Sequence, residues 1–300
     1  MILKYIFRKD ITLISGMLFF SGSLIAQPYI DIFQSKYVYS PDAGIHNKKN
    51  LLNTFTFING QLNLPLVFKK DSSMLVFNPI LENWHVNVSS QQDLPNNVTS
   101  LALPLYFIKP LSKKWAITIT PTIRWNGSGN SLLKKEFLQF GGFSFLSYKK
   151  KANLIYRFGL YYNSEFSGPF FMLLAGIDWQ INKKNNLFGV LPGSITYEHK
   201  AAEWFYYGAT FRAITNSYAY NIPGNSTPKS TFIRIDENQL GVFAATYIKK
   251  RIVILAEAGH SIMRKFRFGI VDAPEKYYAT EKTRDNLYIS ATIAYRMRFR

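Results

Sequence analysis

The chain of 300 residues has no cysteine, only four histidines, and 18 acidic side chains against 36 basic ones. Without cysteine there is no disulfide, no thiolate metal site and no acylated lipoprotein anchor. Asp236 and Glu237 are adjacent rather than at a chelating spacing, and no EF-hand or HExxH pattern occurs, so neither metal nor cofactor is expected. Beyond the first 26 residues no run of about 18 apolar residues exists, which excludes a helical membrane protein. No nucleic-acid recognition motif accompanies the net charge of +18, and nucleic acid is not an expected partner of an exported chain.

Export is what the N-terminus predicts. Lys4, Arg8 and Lys9 form a positive segment, 11–25 is apolar, and Ala26 before Gln27 is a plausible cleavage point. Residues 1–26 therefore read as a signal peptide, and 27–300 as one domain with a net charge of +16 once three cations and one acid are removed from +18. The chain is 47% hydrophobic and 16% aromatic, with 25 Phe, 19 Tyr and 5 Trp. Such aromatic loading without helical spans suits a β-barrel that must supply two interfacial girdles.

The C-terminal run 287–299 alternates without a break. Leu287, Ile289, Ala291, Ile293, Tyr295, Met297 and Phe299 share one face, and Tyr288, Ser290, Thr292, Ala294, Arg296 and Arg298 the other. An ordinary soluble strand has about five or six residues, whereas an oblique membrane crossing needs roughly 9–11. In 114–125 the alternation places Trp115 and Trp125 on one face, ten residues apart. At about 3.3 Å per residue and a tilt near 40°, that spans roughly 25 Å, the height of an outward apolar band. Trp115, Trp125, Trp179 and Phe299 are thus the expected girdle. Pro121 lacks a ladder N–H and predicts a local bulge.

Basic pairs or clusters punctuate the chain at 69–70, 113–114, 149–151, 183–184, 200 and 249–251, each between strand-like runs and at hairpin-turn length. The other connections, near 41–50, 87–98, 126–135, 163–169, 218–230 and 269–284, are longer and rich in Gly, Pro, Asn and Ser, with a tight exception at Pro192-Gly193. Short turns on one side and long loops on the other are the signature of outer-membrane barrels, the short side being periplasmic. Counting between breaks predicts an all-β, transmembrane, antiparallel up-and-down barrel of fourteen strands. It falls to twelve if the short pair 186–191 and 194–199 folds back as an accessory hairpin.

By alternation Arg124, Arg157, Asp178, Gln180, Arg212, Glu257, Arg296 and Arg298 should face inward, since Arg or Lys on the lipid face costs about 2–4 kcal/mol at midplane. These are the candidate selectivity residues of an anion-favouring pore; the alternative is an Arg–carboxylate network bracing a closed lumen. Phe170, Met172 and Leu174 share the predicted inner face of their strand, an apolar patch able to admit apolar ligands. Of His46, His85, His199 and His260, only His85 has same-face amide neighbours, Asn83 and Asn87, and no nucleophile motif attends it. No catalytic residue is assigned.

Asp31-Ile32-Phe33, the run Gly176-Ile177-Asp178-Trp179-Gln180-Ile181-Asn182, Leu191-Pro192-Gly193 and Tyr197-Glu198 resemble an uncharacterised, domain-of-unknown-function family of outer-membrane β-barrels common in Bacteroidota. The resemblance implies envelope location and barrel fold; it carries no activity and no catalytic residues. The expectation is an outer-membrane barrel, a passive or ligand-gated channel for small anionic or amphipathic solutes. Outer-membrane lipid, lipopolysaccharide and the barrel-assembly machinery would be its partners. A lipid-modifying enzyme centred on His85, or an anchor or adhesin using loops 218–230 and 269–284, are the alternatives.

Overall fold

A computed structural model describes residues 28–45, 48–68, 70–88, 96–128, 132–220, 231–271 and 277–299. The expected signal peptide, His46, Lys69 and most of the 218–230 loop lie outside the described residues. The strands are β1 (Tyr29–Ile45), β2 (48–67, interrupted at Asn63), β3 (74–88, interrupted at Asn78 and Pro79), β4 (Asn97–Pro110), β5 (Trp115–Gly127), β6 (Leu138–Lys151), β7 (Leu154–Glu165), β8 (Gly168–Gln180), β9 (Asn185–Leu191), β10 (Ser194–Ala202), β11 (Phe205–Tyr220), β12 (Thr231–Ile248), β13 (Ile252–Ile270) and β14 (277–298, interrupted at 283–285). Each pairs antiparallel with its sequence neighbour. β14 returns to β1 from Tyr29↔Arg298 to Tyr39↔Ile289, closing a barrel of fourteen strands. The β9–β10 hairpin stands in the wall between β8 and β11, so the twelve-strand alternative does not apply.

The outer face is apolar. Phe158, Leu160, Phe171, Leu173, Leu240, Val242, Leu287, Ile289 and Ile293 are exposed, and the residues between them along each strand are turned inward or buried. Trp115 and Trp179 are exposed at the end bearing the basic turns, Trp115 packing on Tyr148 (centroids 4.7 Å apart). Trp125 is half-buried at the opposite end. Phe299 is a correction: it lines the barrel interior instead of the outer girdle, because its amide donates to the Pro28 carbonyl (3.0 Å) and turns the chain end inward.

Pro121 is accommodated without a bulge. It pairs with Gly142 in unbroken register, and Gly142 has φ +152°, with a Cβ there falling 2.2 Å from the Thr120 carbonyl. Three expected long loops are also shorter than the sequence suggests. β1 and β2 occupy nearly all of 41–50, Phe166-Ser167 alone turn β7 into β8, and β13 and β14 extend into 269–284 at 269–270 and 277–282. Beyond the apolar belt both faces of a hairpin meet water or protein, so Asn, Ser and Pro are tolerated while the ladder still satisfies the backbone.

Those extended strands close the mouth. The outer half of β11 leaves β10 and swings across the barrel, reaching β5 through an Ala219↔Gly127 bridge and a Ser128 N–H to Ala219 carbonyl bond (3.0 Å). On its inner side Tyr218 and Tyr220, with Ile233, Ile235, Phe266, Phe268 and Tyr288, pack onto Val38, Phe55, Phe57, Trp84, Val86 and Val98 from β1–β4. On the other side Ala219 and Phe232 pack against Phe137 and Phe166. The Trp84→Ala change should therefore cost about 3–5 kcal/mol, the usual penalty for emptying a packed aromatic site. The indole is fully buried between Phe55 and Phe57, with centroids at 4.6 and 4.3 Å, and a lowered urea midpoint in lipid vesicles is the readout.

Candidate functional site

Below the sealed mouth the lumen widens into a cavity of about 1100 Å³. Residues of the basic turns, Ser72, Lys113 and Lys149, and Phe299 at the chain end line it, so it opens at the short-turn end. Seven aromatic rings, Tyr29, Tyr106, Phe143, Phe145, Phe188, Phe243 and Phe299, share its wall with six cations and three carboxylates. The cations are Lys36, Lys113, Lys149, Arg157, Arg212 and Arg296; the acids are Asp31, Asp71 and Glu257. Asp71 sits in the β2–β3 turn, where the Ser73 N–H (3.1 Å) and hydroxyl (2.8 Å) hold its carboxyl below the usual range and keep it ionised.

Four of the eight inward candidates reach this cavity: Arg157, Arg212, Glu257 and Arg296. They are paired rather than free. Arg296 clamps Asp31 with two bonds (2.6 and 2.9 Å) and lies over the Tyr29 ring (3.5 Å). Glu257 is bound by Arg212, by the Tyr288 hydroxyl (2.5 Å) and by Lys36 (3.5 Å). Arg157 holds the buried Asp178 at 2.5 Å, and Arg298 holds Glu198 (2.5 Å) and the Tyr247 hydroxyl (2.5 Å). Arg124 lies higher and donates to Asn216 (2.9 Å). Gln180, at the end of β8, lies outside the lining and is tied by its backbone to Asn153 (2.8 and 2.9 Å).

Alternation missed part of this network. β1 shifts register between Asp31 and Phe33, so Asp31 points inward while Phe33 is exposed. β13 bulges at Met263 (φ 55°), which turns Met263 outward and buries Arg264 against Glu237, with a further bond to Ser40 (3.2 Å). A bulge inserts one residue and inverts the faces beyond it. Lys36, Glu198 and Glu237 were readable by parity, because each shares a face with an inward neighbour.

The three described histidines lie on separate strands and bond to different partners. His85 lies on the outward face of β3, opposite Thr56, and its Nδ1 bonds Asn97 Oδ1 (3.0 Å). His199 bonds Asn185 (2.7 Å) and stacks on Tyr207, and His260 bonds the Ser261 carbonyl (3.1 Å). No group of three or more His, Cys, Asp or Glu able to hold a metal occurs among the described residues.

With this geometry in place, the sequence matches one family over residues 24–296. The chain belongs to the family described as a domain of unknown function, DUF6268. No curated protein matches it. Among solved structures it is similar to the COG4313 outer membrane channel from Pseudomonas putida F1, with 6% identity over 93% of this chain and 98% of that one and a TM-score of 0.49. It is similar also to the P. putida toluene transporter TodX, with 9% identity, 95% and 92% coverage and a TM-score of 0.46. The NanC porin shares 8% identity over 88% and 98% of the two chains, with a TM-score of 0.37. At these identities the likeness is one of barrel architecture.

The Asp31–Arg296 clamp gives a sharp expectation. Asp31→Asn strands a guanidinium that is only 4% exposed and should cost about 3–5 kcal/mol in urea unfolding. The double change Asp31→Leu with Arg296→Met should recover most of that loss, because no buried charge is then left alone.

Proposed function

We propose that the mature chain, beginning near residue 27, is an outer-membrane channel for small anionic amphipathic solutes whose mouth is packed against free diffusion and which such solutes themselves traverse. The observation that carries this reading is the cavity. It is an aromatic-walled vestibule of about 1100 Å³, with twice as many cations as carboxylates in its lining, beneath a mouth packed shut. Aromatic faces take the apolar body of a solute and the surplus cations its charge. Arg212, Arg157 and Arg296 act here mainly by keeping their carboxylates neutralised. Lys36 and the rim lysines bring the wall to a net positive charge. Outer-membrane lipid, lipopolysaccharide and the barrel-assembly machinery are the partners this placement implies.

The apolar belt supports membrane insertion: Leu173 is 78% and Phe171 73% exposed, a contiguous surface that hydrocarbon covers without cost. The packed mouth supports a gated rather than a permanently open pore.

Flux into vesicles tests the reading. Proteoliposomes should take up 2-naphthalenesulfonate faster than protein-free vesicles do, and a neutral sugar of similar size at the background rate. Lys36→Gln should slow the sulfonate about fivefold, the effect of roughly 1 kcal/mol of lost Coulombic attraction. Sulfonate uptake equal to that of empty vesicles would remove the channel reading.

A further inference from the structure

Among the described residues, the ladder between neighbouring strands is interrupted over a long stretch on either side of the β9–β10 hairpin. β8 pairs with β7 along its whole length, from Gly168↔Glu165 to Trp179↔Leu154, but with β9 only from Ala175 onward. β11 pairs with β12 from Phe205 to Tyr220, but with β10 only as far as Arg212. The stretches 168–174 and 213–218 thus each present a strand edge with no ladder on the side of the β9–β10 hairpin. The gap exists because β9 and β10, of 7 and 9 residues, are too short to fill it.

This gap has a defined frame. At the top the β7–β8 turn is tied to the crossing strands: the Phe166 N–H donates to the Ser217 hydroxyl (3.1 Å) and Arg234 donates to the Ser167 hydroxyl (3.2 Å). At the bottom the Ala213 N–H donates to the Gly193 carbonyl at the hairpin tip (2.8 Å). Between these ties the opening runs about 13 Å along β11 and about 23 Å along β8, taking some 3.3 Å per residue. Its lower sill, Ser194 and Arg212, belongs to the lining of the vestibule, so the unladdered stretch borders the cavity at that end.

The strand beside the opening is apolar on both faces. Phe171 and Leu173 point outward into the belt, while Phe170, Met172 and Leu174 point inward, with Leu174 buried and the other two half-buried. An ordinary barrel strand alternates apolar-out with polar-in; this one offers a continuous apolar surface around an edge. Arg234 lies over the Phe170 ring (5.3 Å) at the upper sill, and Arg212 stands at the lower one.

We infer that the opening between β8 and β11 is a lateral portal. Through it an amphiphile with an acyl or aromatic body and an anionic head passes between the membrane and the vestibule. This rests on the channel reading above and gives it a route, since the mouth is closed by packed side chains and no ladder bonds close the portal. The apolar body slides along Phe170, Met172 and Leu174 while the head moves between Arg234 and Arg212.

The absence of cysteine makes the test direct. Met172→Cys, Leu173→Cys and Ser147→Cys are each labelled with bimane and placed in phosphatidylcholine vesicles, with or without bromine on the acyl chains. Position 173 faces lipid and should be quenched; position 147, inside the vestibule, should not. If the portal is open to the membrane, position 172 loses at least half as much emission as 173. If 172 behaves like 147, the portal is overturned. Lengthening the hairpin by six residues on each side of Pro192-Gly193, enough to run from Ala175 up to Pro169 on β8 and from Arg212 up to Tyr218 on β11, should pair the free edges and abolish quenching at 172 alone. Quenching that persists in this variant also overturns the portal. Sulfonate flux without quenching at 172 overturns the portal and leaves the channel standing. Quenching without flux overturns the passage and removes the channel reading with it.

Discussion

The structure depends on a single constraint: in hydrocarbon, each backbone N–H and C=O needs a partner from the protein itself. An unsatisfied group costs several kcal/mol, and only a closed ladder of strands avoids that cost along a whole wall. Pairing of β14 with β1 removes both sheet edges at once and brings the chain ends to the same side. Alternation follows from closure, since a residue facing out meets lipid and its neighbour meets the lumen. Where the ladder is interrupted, protein contacts frame the gap. The ties at Ser217, Ser167 and Gly193 confine the unpaired edges of β8 and β11 to one bounded stretch of wall.

Inside, the governing quantity is desolvation of charge. A guanidinium packed into the lumen wall is cut off from water on most sides and is poorly solvated unless it is paired. Four inward arginines are accordingly met by a carboxylate from another strand, Arg296 by Asp31, Arg264 by Glu237, Arg298 by Glu198 and Arg157 by Asp178, and Arg124 by the Asn216 amide oxygen. Such pairs add little net stability over apolar residues of the same volume, yet breaking one is costly. Three of the four join neighbouring strands and brace the ladder, while Arg298–Glu198 reaches across the lumen from β14 to β10. The positive surplus that a solute would sense comes from Lys36 and the rim lysines.

How far this was legible in the sequence follows from the range of each signal. Local alternation located the fourteen strands, their basic turns and the inward arginines, because period-two patterning is written in neighbouring residues. It failed at two single-residue insertions: the irregularity between Asp31 and Phe33, and the bulge at Met263, which exchanged the faces of everything beyond them. The pairing of Pro121 with Gly142 was hidden because it joins residues of two strands whose register no local pattern reports. Closure of the mouth was hidden for the same reason. Tyr218, Ile233 and Phe266 read as ordinary strand residues until the fold carries them across the barrel onto Trp84 and Phe55. Loop composition misled at 41–50 and 163–169, since polar residues mark water contact and not the end of pairing.

The mouth and the wall differ in what opening each would require. To open the mouth, thirteen buried side chains must separate, six from β1–β4 and seven from β11–β14. At about 1.5–3 kcal/mol for each large apolar side chain exposed to water, that is tens of kcal/mol, comparable to unfolding the outer third of the barrel. Widening the space between β8 and β11 breaks no ladder bond, and the surfaces it separates, Phe170 and Met172 among them, can be taken up by an acyl chain rather than by water. On the portal proposal, a solute with an apolar body would therefore meet a much lower barrier at the side than at the top. A small hydrophilic ion gains nothing from those side chains, so the same geometry discriminates against it.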